Sequence, residues 1–155
     1  MKHNDPSFKI EIYMETSVPN AYLDSAKPER QLETQAFWKR LPGYQVYISD
    51  FVVKEIQQTP QQSRRDDLLA LVKPFEQLHG DREDVNALAH HYVTSGVIAV
   101  PADAKHLAIA VTYNIGVLVS WNYRHLVKLK TKRAVNALHL IEGYAPIEIV
   151  DPSML

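Results

Sequence analysis

Glu15, Glu55, Asp103 and Asn122 are the side chains in this sequence best suited to chemistry. Each falls at or near a point where the chain leaves an apolar run and enters a helical one. Carboxylates and an amide offer hard oxygen donors, and Mg²⁺ or Mn²⁺ takes a few carboxylates plus waters in roughly octahedral geometry. Other chemistries lack their residues. No cysteine is present, so thiol nucleophiles, disulfides and cysteine-rich zinc sites are excluded. Gly43, Gly80, Gly96, Gly116 and Gly143 stand alone, which leaves no glycine-rich dinucleotide or phosphate loop. No serine occupies a G-x-S-x-G elbow. His90 and His91 are neighbours whose side chains point apart on a helix, and no H-E-x-x-H zinc motif occurs.

These four residues need a scaffold that brings strand ends together. Lys9-Ile-Glu-Ile-Tyr-Met14 alternates and favours a strand, and Glu15 follows it directly. Thr16 or Ser17 then caps a helical turn, with Pro19 in its first positions. Leu32, Ala36, Phe37 and Leu41 give Glu29–Leu41 a helical face, stopped by Pro42-Gly43. Tyr44–Ser49 reads as the second strand, and a short helix from Asp50, itself able to serve as N-cap, carries Glu55. Gln61–Lys73 is helical up to Pro74, and Phe75–His79 is a minor edge strand. A helix opens after Gly80, where Asp81 and Asp84 resemble a capping box, and buries Val85, Leu88, Ala89, Tyr92 and Val93.

From Pro101 the pattern is densest. Ala104, Leu107, Ala108 and Val111 recur at helical spacing behind Asp103, and Asn114-Ile-Gly116 supplies the stop, with Gly116 expected in the left-handed conformation. Val117-Leu-Val-Ser120 is apolar on both faces, as a central parallel strand is, and ends beside Asn122. A final helix around Ala134–Ile141 is broken at Gly143, and Ile147–Val150 forms the last strand. Strands alternating with helices define a three-layer parallel α/β fold. In such sheets ligands gather outside the carboxyl ends of the strands, so Asp103 and Asn122 are expected to share a site.

The chain of 155 residues suits a single domain spanning 1–155. Its apolar and charged content is that of a folded protein. No apolar run reaches the roughly 18 residues of a membrane span, and Met1–Ser7 lacks the apolar region of a signal peptide. A soluble, cytoplasmic protein is expected. A net charge of −1 gives no global attraction to nucleic acid. Such binding would need the local cations Arg124, Lys128, Lys130, Lys132 and Arg133.

Four segments in order, Ile12–Pro19, Ser49–Ile56, Asp103–Ala110 and Leu118–His125, resemble the PIN domain nucleases, and among them the VapC-like toxins of toxin–antitoxin systems. Gly143–Val150 adds to the likeness, which covers nearly the whole chain. The resemblance implies a PIN-like sheet of four to five parallel strands with helices on both faces. It also implies an acidic site. The family's first acid, usually aspartate, is matched by Glu15, the second by Glu55, and the third by Asp103, three residues before His106. The fourth, usually aspartate, is matched by Asn122, two residues after Ser120. His106 reads as a packing and hydrogen-bonding residue.

What this implies is a metal-dependent endoribonuclease. Glu15, Glu55 and Asp103 would hold Mg²⁺ or Mn²⁺, which lowers the pKa of a bound water and offsets charge on the scissile phosphate. Ser120, Asn122 and Thr16 would orient water or phosphate, and the cations from Arg124 to Arg133 would track the RNA backbone. An antitoxin partner and a homodimer follow from the same likeness. The alternative is a PIN scaffold, weak or inactive as a catalyst, that binds RNA or a protein partner.

Overall fold

The computed structural model describes residues 8–155, so the N-terminal segment Met1–Ser7 lies outside the described residues. Five parallel strands, β1 (Ile10–Met14), β2 (Tyr44–Ser49), β3 (Glu76–Leu78), β4 (Val117–Val119) and β5 (Glu148–Val150), form one sheet in the order β3-β2-β1-β4-β5. The chain builds outward from β1 to β3, then returns to lay β4 on the other side of β1. Tyr13 pairs with Tyr47 of β2 on one side and Leu118 of β4 on the other. Strand order therefore reverses between β1 and β4, the kind of crevice in which open α/β sheets place their ligands.

Seven helices connect the strands: α1 (Ser17–Tyr22), α2 (Pro28–Arg40), α3 (Asp50–Gln57), α4 (Gln62–Val72), α5 (Glu83–Thr94), α6 (Pro101–Thr112) and α7 (Leu129–Glu142). Helices α1–α4 pack among themselves and α5–α7 among themselves, the division onto two faces that right-handed crossovers require when the two halves of a sheet grow in opposite directions. This is the three-layer arrangement that the alternating sequence dictates. Ile12, Ile48, Leu118 and Ile149, each on a different strand, are fully buried. Leu107, Ala108, Ile109 and Ala110 of α6 are likewise buried, so the helix carrying Asp103 sits in the core. None of the described helices is long and apolar enough to cross a membrane.

Several local details differ from the sequence reading. Ser49, not Asp50, caps α3, its hydroxyl accepting from Val52 N at 3.1 Å. Asp50 instead accepts from Gly80 N at 2.8 Å. That contact joins α3 to the end of β3, where a Cβ on Gly80 would lie 2.9 Å from Ile109 Cδ1. Asp81 and Asp84 form no capping box. The helix starts at Glu83, Asp81 accepts from the Asn86 amide, and Asp84 accepts from Arg82 and Val85 N. After α6 the left-handed residue is Asn114, at φ 57°, rather than Gly116, since asparagine tolerates that region too. The last helix starts at Leu129, a full turn before the expected Ala134. Lys130, Lys132 and Arg133 thereby become helical.

Candidate functional site

Glu15 leaves the carboxyl end of β1 and is only 5 % exposed. Its backbone N–H donates to Val119 O at 3.1 Å, continuing the ladder to β4. Its Oε1 accepts from Ser17 N at 3.1 Å, from the Ser17 hydroxyl, and from Ser120 Oγ at 2.8 Å. Ser120, at the end of β4, also accepts Asn122 N at 2.9 Å, and Ser17 Oγ accepts Trp121 N at 2.9 Å. Glu15 is thus the pin between the two central strand ends. Burial nevertheless raises its pKa, against the lowering influence of His106, Ser120 and Ser17.

Asp103 lies in the first turn of α6 and is 8 % exposed. Its Oδ2 accepts from Asn122 Nδ2 at 3.2 Å, while Asn122 Oδ1 accepts from His125 N at 3.0 Å. The amide therefore presents its nitrogen to the acid and uses its oxygen to hold the loop after β4. Burial raises the Asp103 pKa as well, more than His125, His106 and Asn122 lower it. The expected meeting of Asp103 and Asn122 occurs.

Glu55 has a different environment. Its Oε1 accepts from His106 Nε2 at 2.6 Å and from Thr16 Oγ1 at 2.5 Å. Burial pushes its pKa up, but the hydrogen bond and electrostatic pull of His106, with the Thr16 hydroxyl, outweigh it and hold the carboxyl low. Thr16, placed to cap α1, makes no side-chain cap there and serves Glu55 instead. Behind His106 stand Tyr13 and Ser49: Tyr13 Oη lies 2.7 Å from His106 Nδ1 and 2.8 Å from Ser49 Oγ. His106 lies three residues from Asp103, hence on the same side of α6.

The donor chemistry suits a hard cation in part. Glu15 and Asp103 are buried acids without an ion pair to a cationic side chain among the described residues. Each keeps one oxygen, Oε2 and Oδ1, free of any donor among the described residues. No described buried side-chain oxygen lacks a partner, so both meet solvent. Among the described residues no three His, Asp or Glu side chains gather closely enough to share one ion. Mg²⁺ commonly binds through only one or two carboxylates, with waters and substrate phosphate completing its shell. Glu15 and Asp103 each keep an oxygen for such a role, while Glu55 is engaged by His106 and Thr16.

The cations after β4 do not form one stripe. Arg124 lines a cleft of about 520 Å³ with Glu15 and Asn122, whereas Lys128 and Lys130 line a separate, smaller one with His125. Lys132 faces Asp151 at the end of β5 and lowers its pKa. Arg133 is exposed on α7. The sequence reading missed Ser17, Tyr13 and Ser49 as site residues. Ser17 could have been found from its adjacency to Glu15, but nothing local marks Tyr13, whose partner is 93 residues away.

No family model matches the chain, and no curated protein matches it. Solved structures do. The chain superposes on a chain of the VapBC2 complex of Rickettsia felis bound to a promoter DNA fragment, with TM-score 0.58 and 11 % identity over 92 % of this chain and 98 % of the other. It superposes on one from the FitAcB structure of Neisseria gonorrhoeae with TM-score 0.62 and 16 % identity, over 93 % and 99 % of the two chains. The chain accordingly shares the PIN-like fold of these two chains.

Proposed function

We propose that the chain is a PIN-type endoribonuclease, the toxin of a toxin–antitoxin pair, which hydrolyses RNA phosphodiester bonds with Mg²⁺ or Mn²⁺. The observation that carries the reading is the pair Glu15 and Asp103. Both are buried without an ion pair to a cationic side chain among the described residues, and each keeps one oxygen open to solvent near the reversal of strand order. Glu15 and Asp103 would hold the ion, which supplies a bound water of lowered pKa and an electrophile for the phosphate.

The chain's own residues do the rest. Ser17 and Ser120 fix the Glu15 carboxylate by three donors to one oxygen, leaving the other to face the cleft. The Asn122 amide holds one oxygen of Asp103 with a single donor. Glu55, kept ionised by His106 and Thr16, adds negative charge behind the site and is within the cluster that acts on Asp103 and Glu15. That charge favours a cation where RNA would place its scissile phosphate. The antitoxin belongs to this same reading, supported by the VapBC2 complex, and the homodimer is proposed with it from the sequence likeness alone.

The test is cleavage of a mixed RNA by wild type and Asp103→Asn, with and without EDTA. Loss of activity in both the variant and the chelated wild type is expected, and undiminished cleavage by Asp103→Asn would sink the assignment. The commitment of Glu55 to His106 favours a second reading, a scaffold that binds RNA or a protein and cuts poorly. Calorimetric titration with Mn²⁺ separates them: no uptake at millimolar metal selects the scaffold.

A further inference from the structure

The cleft of about 520 Å³ that opens from Glu15 and Asn122 sets three cations against two acids, Glu15 and Asp24. Its outer wall carries Lys27, Arg30 and Arg124, and none of the three makes an ion pair among the described residues. Trp121 and Tyr123 complete that wall, and Arg30 lies over both rings, 5.1 Å from the first centroid and 5.8 Å from the second.

This aromatic corner is held in place from three sides. The Trp121 indole N–H donates to Thr34 Oγ1 of α2 at 2.9 Å. The Tyr123 hydroxyl donates to Asp151, whose other oxygen accepts Ser153 N at 2.8 Å. The two rings meet edge to face, with centroids 6.1 Å apart and planes at 66°. Trp121 is 7 % exposed and belongs to the core, whereas Tyr123 is 45 % exposed. A tyrosine whose hydroxyl is anchored in a strand end, and whose ring is half open beside free cations, is a preset stacking surface. Aromatic rings beside cationic grooves bind single-stranded nucleic acid, because every base has a π-face and every linkage a phosphate.

We propose that this wall is a nucleotide subsite for unpaired RNA, with one base stacked on Tyr123 and the adjoining phosphates met by Lys27, Arg30 and Arg124. The choice of RNA rests on the nuclease reading above. The subsite makes the substrate class single-stranded: a base still paired in a duplex cannot present its face to a ring fixed on the cleft wall. It also moves the cationic contact from the cations of α7 to Lys27 just before α2, Arg30 in its first turn and Arg124 after β4.

The experiment uses a short fluorescein-labelled RNA without self-complementarity, the same RNA as a duplex, and a DNA strand of equal sequence, read by anisotropy and by cleavage. Wild type is expected to prefer the single strand. Tyr123→Ala should weaken its binding about tenfold, and Tyr123→Phe should largely retain it. Lys27→Gln with Arg124→Gln should flatten the salt dependence of binding. Circular dichroism checks that each variant is folded, and the two charge variants stand in if Tyr123→Ala is not. Equal affinity of Tyr123→Ala and wild type, or duplex preferred over single strand, overturns the subsite even where cleavage depends on Asp103. Tyr123-dependent binding with cleavage indifferent to Asp103 supports the subsite and removes the nuclease.

Discussion

His106 Nε2 lies 2.6 Å from Glu55 Oε1, tying the acid of α3 to the helix that carries Asp103. An imidazole that donates from Nε2 can accept at Nδ1. Tyr13 Oη can then donate to Nδ1, Ser49 Oγ to Tyr13 Oη, and Val52 N to Ser49 Oγ. Each hydrogen has an acceptor in that order, and no described buried polar side-chain atom is left without a partner. The chain of bonds runs from the N-cap of α3 back to its own Glu55, so the position of that carboxylate is set through the core.

Tyr13→Phe tests this coupling. Tyr13 is fully buried, and the substitution leaves Ser49 Oγ and His106 Nδ1 without their common partner. A buried polar group stripped of its partner costs about 1–3 kcal/mol. A fall of that size in urea-derived stability is expected, together with slower RNA cleavage as Glu55 loosens. A neutral effect on both would show that the bonds through Tyr13 do not position Glu55.

Glu15→Gln should stabilise the fold at neutral pH while abolishing cleavage. Burial raises the pKa of Glu15, so the folded state holds this proton more tightly than the unfolded chain. Between the unfolded value, about 4.3, and the raised folded value, the folded state binds more protons. Stability contributed by Glu15 is therefore fully present below the unfolded pKa and is lost as pH rises through the folded one. Glutamine keeps an acceptor for Ser17 and Ser120 without the charge. A gain of about 1 kcal/mol near pH 7 is in the range of single stabilising changes. Urea midpoints compared at acidic and neutral pH should differ less for the variant than for wild type, and a variant less stable than wild type at neutral pH would contradict the account.

The sequence made the sheet legible because period and chemistry agreed there. Val117-Leu-Val reads as a central strand and lies between β1 and β5. Asp103 was legible too, as an acid at the start of a helix that is otherwise apolar. The partners of Glu55 were not. Thr16 looked like a helix cap, since a hydroxyl before a helix is cheapest to satisfy locally, and only the crossing of β1 past α3 gives it an acid instead. Lys27 and Arg30 sit in a polar stretch with no periodic signal, 91 or more residues before Trp121 and Tyr123. Their neighbours are decided by the return of the chain to β4, a long-range event that no window of sequence contains.

A second histidine makes the acid limb of stability predictable. His139 of α7 is fully buried, with Nδ1 2.8 Å from Ala145 O and Nε2 2.6 Å from Tyr92 Oη. A carbonyl only accepts, so Nδ1 carries the hydrogen and Nε2 accepts from the tyrosine of α5. Burial lowers the His139 pKa, against the opposing pull of Ala145 and Glu142. The unfolded chain, with an ordinary histidine value of about 6.5, therefore takes up a proton first as pH falls. Stability supplied by neutral His139 is present above that value and is lost as pH drops through the lowered folded one. His139→Gln should cost about 1–3 kcal/mol at pH 7, where the Tyr92 hydroxyl and the Ala145 carbonyl lose their shared partner. The same variant should show a shallower decline between about pH 7 and pH 5. Urea unfolding at both pH values measures the two effects together. Parallel pH profiles for variant and wild type would place the acid sensitivity elsewhere, whereas convergence at low pH would assign it to the packing of α7 on α5.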